Sequence, residues 1–301
     1  MTDTPEPALP AAAPPAGRPL AGVALVLLAV LAFALCDVIV KALARDHPVT
    51  LIQAARYGVN LALLLALLGP RHGGGLWRTQ RTAAVMARGL VLALASLTMS
   101  LALRLMPLGE TVAIIYLAPF VVMVLAGPVL GERVGPAGWA AAALGFAGVL
   151  LIMRPGTGLD PAGVLWALAN VGLGAAYHLM TRVLTRTETT QAMLFHVALV
   201  GTVFFGTAAL PALRGPLPAA PDLALMLALG ALATLGHFLF TAAYREAPAA
   251  LLAPVNFMHL VWAGGLGWLV FGHAPDGLTI LGMALVCAAG GFIAMRAHFA
   301  R

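Results

Sequence analysis

The chain has 301 residues, of which 61% are hydrophobic and only 9% are charged, and its mean hydropathy is +0.97. Soluble domains carry about 25% charged residues, so this composition excludes a soluble globular protein and indicates an integral membrane protein. The formal net charge of +6 is typical of arginines in cytoplasmic loops, and because no basic run alternates with exposed aromatic residues we expect no nucleic-acid partner.

The chain begins with an Ala/Pro-rich stretch, residues 1–19, which predicts a disordered cytoplasmic tail rather than a secretory signal. A membrane-spanning helix needs about 20 mostly apolar residues. By this criterion the sequence predicts an all-α membrane protein with ten spans and a short C-terminal tail, 297–301. The spans are 20–43, 49–69, 83–104, 108–130, 135–153, 161–184, 190–213, 221–243, 248–271 and 277–296.

The loops between these spans set the predicted orientation. With a cytoplasmic N-terminus, ten Lys and Arg side chains lie on the cytoplasmic side and five on the opposite side. Because basic residues accumulate in cytoplasmic loops, both termini are predicted to be cytoplasmic.

Helix four contains a proline within its apolar run, Pro119, and helix nine contains Pro254. Proline removes a backbone donor and bends a helix. A membrane tolerates such a break only where protein or a water-filled cavity accepts the freed carbonyl. Both prolines therefore predict helix breaks with a gating role beside an internal cavity.

The second half of the chain repeats the first at an offset of 141 residues. The letters "AGV" at 21–23 return at 162–164, and Arg104 and Pro107 return as Arg245 and Pro248. Each half, 20–154 and 161–296, holds five spans. Because five is odd, the second half must enter the membrane from the opposite side, which gives the inverted repeat common in secondary transporters.

Polar side chains within spans are costly and normally turn inward, so they mark candidate substrate-binding positions around a central cavity. Each one could instead serve packing or an interhelical hydrogen bond. The candidates are Asp37, Ser96, Tyr116, Asn170, Tyr177, His178, His237, Asn256, His259 and Trp262.

Asp37 is the acid that lies well inside a span. It could contact a substrate amine or carry a proton. The alternative is a salt bridge with Lys41, one turn along the same helix, or with Arg56.

Helices five and ten carry small residues at helical spacing, among them Gly145, Gly148, Gly282 and Gly290. Small residues let helix backbones approach closely. These helices are therefore predicted to form a scaffold or a dimer contact, so the chain acts as a monomer or a homodimer.

The segment "SLALRLMPLGETVAIIYLAPFVVMVLAGPVLGERVGPAGWAAAALGFAGVLLIMRPG" resembles the drug/metabolite transporter superfamily, and within it the bacterial EamA-type exporters. The likeness rests on the "ALxxxP" helix start, "APF", "LGERVGP" and the "GFAGVLLIMRPG" helix end. The second half departs from the pattern, with "GH" at 272–273 in place of "GE". The resemblance implies two five-helix repeats, a cavity lined by helices one, three, four, six, eight and nine, and a bacterial inner-membrane location.

No catalytic, cofactor or metal motif occurs in the sequence. We therefore expect a gradient-driven transporter that exports a small metabolite by alternating access, with no cofactor. Amino acids are the leading substrate class. The alternatives are drugs or organic cations, nucleosides or vitamins, a receptor without flux, and a membrane enzyme in which His178, His237 and His259 would converge.

Overall fold

The computed structural model describes residues 18–130, 135–153, 158–247, 252 and 254–299, so most of the predicted N-terminal tail lies outside the described residues. Every regular element within them is helical. The helices are α1 (Pro19–Leu43), α2 (Val49–His72), α3 (Thr82–Leu105), α4 (Leu108–Ile115), α5 (Ala118–Leu130), α6 (Pro136–Met153), α7 (Pro161–Leu184), α8 (Thr190–Ala209), α9 (Ala220–Glu246), α10 (Met258–Phe271) and α11 (Gly277–Phe299).

The ten predicted apolar segments are all helical over their described residues, which confirms the predicted all-α fold. Eight are long and apolar enough to cross a membrane, and the last two, Val255–Phe271 and Gly277–Phe292, are shorter. The seventh predicted span, which is α8, ends at Ala209 rather than at residue 213, because Pro211 cannot continue the helical hydrogen bonding. The fourth span consists of two helices, α4 and α5.

The packing of the helices follows the repeat. Helix α1 packs on α9 in the same way that α7 packs on α3, and α2 contacts α9 as α8 contacts α3. The α2–α8 and α6–α11 pairs each join equivalent helices of the two halves. Each half therefore buries its apolar faces mainly against the other half.

Glycines at equivalent positions explain why the letters "AGV" recur. A Cβ atom on Gly22 of α1 would lie 2.7 Å from Cβ of Ala247, and one on Gly163 of α7 would lie 2.5 Å from Cγ of Met106. Residues 22 and 163 are related by the offset of 141, and so are 106 and 247. The repeated glycine thus allows the same close helix crossing in each half.

The two halves are inverted relative to each other. Lys41, near the end of α1, donates hydrogen bonds from Nζ to the carbonyls of Leu103 and Met106 at the C-terminus of α3. Glu188, which follows α7, instead accepts hydrogen bonds from backbone amides at the N-terminus of α3. The 24 residues of α3 separate these ends by about 36 Å, so equivalent loops of the two halves lie at opposite ends of the bundle.

Helices α6 and α11 form the predicted scaffold by packing on each other. A Cβ atom on Gly148 would lie 2.6 Å from the carbonyl oxygen of Gly282, and the reverse distance is also 2.6 Å. Rings fill the neighbouring glycine positions, with Phe120 against Gly145 and Phe257 against Gly290. The small residues therefore serve contacts within the chain, and a dimer contact stays a prediction.

Candidate substrate site

Each half contains a helix break beside the predicted site. Helix α4 ends at Ile115 and α5 begins at Ala118, with Tyr116 and Leu117 between them. Because Pro119 has no N–H, the carbonyl of Ile115 loses its usual partner. In the second half a 3₁₀ turn over Pro254–Phe257 precedes α10. The breaks lie where the prolines predict them, and their gating role stays a prediction.

A cluster of polar and aromatic side chains joins the two halves beside these breaks. His259 Nε2 donates to Asp37 Oδ2 over 3.1 Å, which links α10 to α1. Tyr116 donates from its hydroxyl to the backbone carbonyl of Asn256 over 2.7 Å. The Tyr116 ring lies 5.1 Å from that of Phe257 and 5.9 Å from that of His259. We call Asp37, Tyr116, Asn256, His259 and Trp262 the central cluster. Trp262 lies three residues beyond His259 on α10 and packs against the apolar cluster that contains Val26 and Leu252.

Two buried polar atoms of the central cluster have no hydrogen-bond partner among the described residues, Asn256 Oδ1 and Trp262 Nε1. One is an acceptor and the other is a donor. Leaving a buried polar atom unpaired costs about 1–3 kcal/mol. The cluster therefore contains one acceptor and one donor that the described residues leave unpaired.

The predicted salt bridge of Asp37 with Lys41 or Arg56 is wrong. Lys41 turns instead to the carbonyls at the end of α3, where the unsatisfied helix C-terminus attracts a cation. Arg56 donates to Gln53 Oε1 over 3.3 Å. Asp37 pairs with His259, a residue 222 positions away.

Three other candidates make interhelical hydrogen bonds. Ser96 Oγ lies 2.8 Å from the Tyr57 hydroxyl, and the Asn170 amide donates to the carbonyl of Ala95 over 2.6 Å. The Tyr177 hydroxyl accepts a hydrogen bond from Arg88 over 2.6 Å. These bonds join α3 to α2 and α7, and they favour the packing alternative at these positions.

The three histidines have different neighbours and form no shared centre. His259 bonds Asp37, His237 packs 5.1 Å from the Phe33 ring, and His178 contacts the Tyr177 ring edge-on. His178 and His237 are both exposed. The convergence that a histidine-based enzyme requires is absent from these contacts.

Sequence reasoning missed two contacts between the halves at the ends of the bundle. In the first, which we call the His47 contact, His47 Nε2 donates to Asp222 Oδ2 over 2.8 Å. In the second, the Glu188 contact, the carboxylate accepts from the amides of Gln80 and Arg81 over 2.7–3.2 Å.

The two end contacts occupy equivalent places in the two halves. His47 and Glu188 are related by the repeat offset of 141, and so are Arg81 and Asp222. Ionisable residues at matched loop positions are the signal that could have found both contacts. Each of them joins a loop of one half to the start of a helix in the other half, at one end of the bundle.

Inverted five-helix halves with broken helices at mid-bundle define a membrane transporter of the inverted-repeat class. Residues 20–154 and 161–295 each match the EamA-like transporter family, and the chain belongs to that family.

Curated relatives cover most of the chain. It is 33% identical to a riboflavin transporter of Rhizobium johnstonii over 88% of each chain. It is 27% identical to the pseudopaline exporter CntI of Pseudomonas aeruginosa, covering 88% of this chain and 93% of that one. It is 25% identical to an S-adenosylmethionine uptake transporter of Rickettsia felis over 74% of this chain and 75% of that one. A solved structure with 21% identity shares the fold at a TM-score of 0.65, covering 92% of this chain and 99% of that one.

Proposed function

We propose that this protein carries a flat, polar aromatic metabolite of the flavin type across the bacterial inner membrane. The repeats 20–154 and 161–296 act as the two moving units, and both termini lie in the cytoplasm. The solute binds at the central cluster and meets one face of the membrane at a time.

The observation that carries this proposal is the unpaired acceptor and donor beside aromatic rings. Asn256 Oδ1 and Trp262 Nε1 are buried without partners among the described residues, and the rings of Phe257 and His259 lie 5.1 and 5.9 Å from the Tyr116 ring. A flavin ring system is flat and carries alternating carbonyl and N–H groups along one edge. Such an edge supplies the missing partners while its faces pack on aromatic rings.

The relatives support the same class of solute. The riboflavin transporter of Rhizobium johnstonii is 33% identical, and riboflavin transporters of Vibrio cholerae and Brucella anthropi are 28% and 29% identical. Other relatives are named for pseudopaline and S-adenosylmethionine. They favour a metabolite or vitamin over the amino acids that the sequence analysis places first.

Amino acids form the second candidate class. Asp37 carries a carboxylate inside the bundle. His259 occupies one acceptor position on its Oδ2, and a carboxylate has about four such positions. An α-ammonium group matches the remaining lone pairs. Export stays a prediction, because the relatives include both an exporter and an uptake transporter.

Counterflow in proteoliposomes tests the flavin proposal. Vesicles loaded with unlabelled riboflavin should accumulate labelled riboflavin from the medium. Trp262→Phe keeps the ring but removes the indole N–H, so we expect riboflavin affinity to fall about 2–10-fold, the worth of one net hydrogen bond.

Trp268→Phe is the matched control, because Trp268 is 58% exposed and lies on the same helix outside the cluster. It should leave affinity unchanged. Absence of riboflavin exchange, together with exchange of individual amino acids in the same vesicles, would overturn the flavin proposal in favour of the second class.

A further inference from the structure

Arg56 is a cation inside the bundle whose role the central cluster does not explain. It lies on α2, where its guanidinium donates to Gln53 Oε1 over 3.3 Å and lies 5.6 Å from the centre of the Tyr57 ring. Gln53 and Asn60, three residues before it and four residues after it on the same face of α2, donate to Ser100 of α3 and Thr234 of α9. Arg56 therefore lies on the face of α2 that is turned towards α3 and α9.

The charge of Arg56 is not balanced by a carboxylate within the described part of the chain. Among the residues that the structure describes, no carboxylate forms an ion pair with it. The nearest intramembrane acid in sequence to α2, Asp37, is bound by His259. An Arg side chain has five N–H donors, and one of them is engaged here.

Arg88, the second arginine within a span, differs from Arg56 because several protein groups bind its guanidinium. Its side chain is 3% exposed. It donates to the Thr181 and Tyr177 hydroxyls over 2.7 and 2.6 Å and stacks 4.3 Å from the centre of the Tyr177 ring. Arg56 is instead half-buried, and among the described residues its guanidinium donates a hydrogen bond only to Gln53.

The repeat shows that the fold does not need a cation at this position. The residue equivalent to Arg56 in the second half is Val197, which is buried in an apolar cluster with Tyr57 and Phe205. A charge within a membrane bundle is costly to keep and, where it is not needed for packing, indicates a functional site.

We propose that Arg56 is a specificity-determining residue that binds an anionic oxygen group, carboxylate or phosphate, carried by the transported solute. The fork of guanidinium donors matches both groups in geometry and charge. This inference rests on the proposed function in one respect, namely that the solute enters the central space between the repeats. It predicts that, among related solutes, those that carry a negative charge bind more tightly.

Matched pairs of ligands test this inference on the purified full-length transporter. Riboflavin and its 5′-phosphate share the flavin ring, and tryptophan and tryptophanamide share the indole. The 5′-phosphate is the anionic group in the first pair, and the carboxylate of tryptophan is the anionic group in the second. Ligand-induced thermal stabilisation in lipid-free detergent measures binding and removes phospholipid headgroups as a source of the anion.

The wild type should bind the anionic member of at least one pair about tenfold more tightly than its partner, as expected for one charge-assisted contact. Arg56→Gln should abolish that preference, and Arg56→Lys should keep part of it. Arg104→Gln removes an exposed cation outside the central cluster and should leave the preference intact. If Arg56→Gln does not fold, a weaker preference in Arg56→Lys than in the wild type supports the inference, and an equal preference contradicts it.

The outcomes separate this inference from the flavin proposal. An Arg56-dependent preference in the tryptophan pair, with no flavin binding, would support the anion subsite and overturn the flavin class. Flavin binding with no preference in either pair, or a preference unchanged in Arg56→Gln, would overturn the anion subsite and leave the flavin class standing.

Discussion

Asp37→Asn should lower counterflow at least tenfold while leaving the protein folded. The carboxylate links α1 of one half to α10 of the other through His259 over 3.1 Å, and both side chains are mostly buried, with 16% and 15% exposure. The amide keeps the size of the side chain but removes the charge. Hydrogen bonds that involve a charged group are roughly twice as strong as neutral ones, so the link between the halves at the site weakens.

A double-mutant comparison shows whether Asp37 acts through His259. The Asp37→Asn/His259→Gln variant should transport no worse than Asp37→Asn alone, because residues that act as one unit are not additive. Asp46→Asn is the control, since Asp46 is an exposed carboxylate just beyond the end of α1. Wild-type counterflow by Asp37→Asn would show that this acid serves only packing.

Glu188→Ala should lower the free energy of unfolding by about 1.5–3 kcal/mol, the range for hydrogen bonds to a charged group. Glu188 is 7% exposed, and its carboxylate accepts from Gln80 and Arg81 at the start of α3. Its loss leaves helix N-terminal amides unpaired, where a carboxylate is especially favourable. Chemical denaturation in detergent measures the change.

The same substitution should shift the conformational balance. We expect thiol probes to reach residues at the Glu188 end of the bundle faster in Glu188→Ala. His47→Gln should do so at the opposite end, because the His47 contact is its structural equivalent. Equal accessibility of both ends in both variants would show that these contacts do not control opening.

The helices and the repeat could be predicted because they depend on local and periodic properties. Hydropathy over about 20 residues marks a span wherever it lies in the chain. Glycine recurs at 22 and 163 because at each position a helix of one half packs so closely on the other half that no larger side chain fits. An odd number of spans in each half then predicts the inversion without any three-dimensional information.

The partners of the polar residues could not be predicted in the same way. The Asp37–His259 pair spans 222 positions, and the Tyr116–Asn256 bond spans 140. A local pattern favours Lys41 as the partner of Asp37, yet the end of α3 competes for that cation. Only the packing of the two halves determines which polar groups remain unsatisfied, as at Asn256 and Trp262.

Cross-linking across the two end contacts tests alternating access between inverted halves most directly. Cysteine pairs replace His47 and Asp222 at one end, or Arg81 and Glu188 at the other, in a chain whose Cys36 and Cys287 are changed to alanine. A short reducible thiol cross-linker closes either pair, and counterflow is followed before and after reduction. The account predicts that either cross-link alone stops counterflow and that reduction restores it. Undiminished counterflow with either cross-link complete would contradict it.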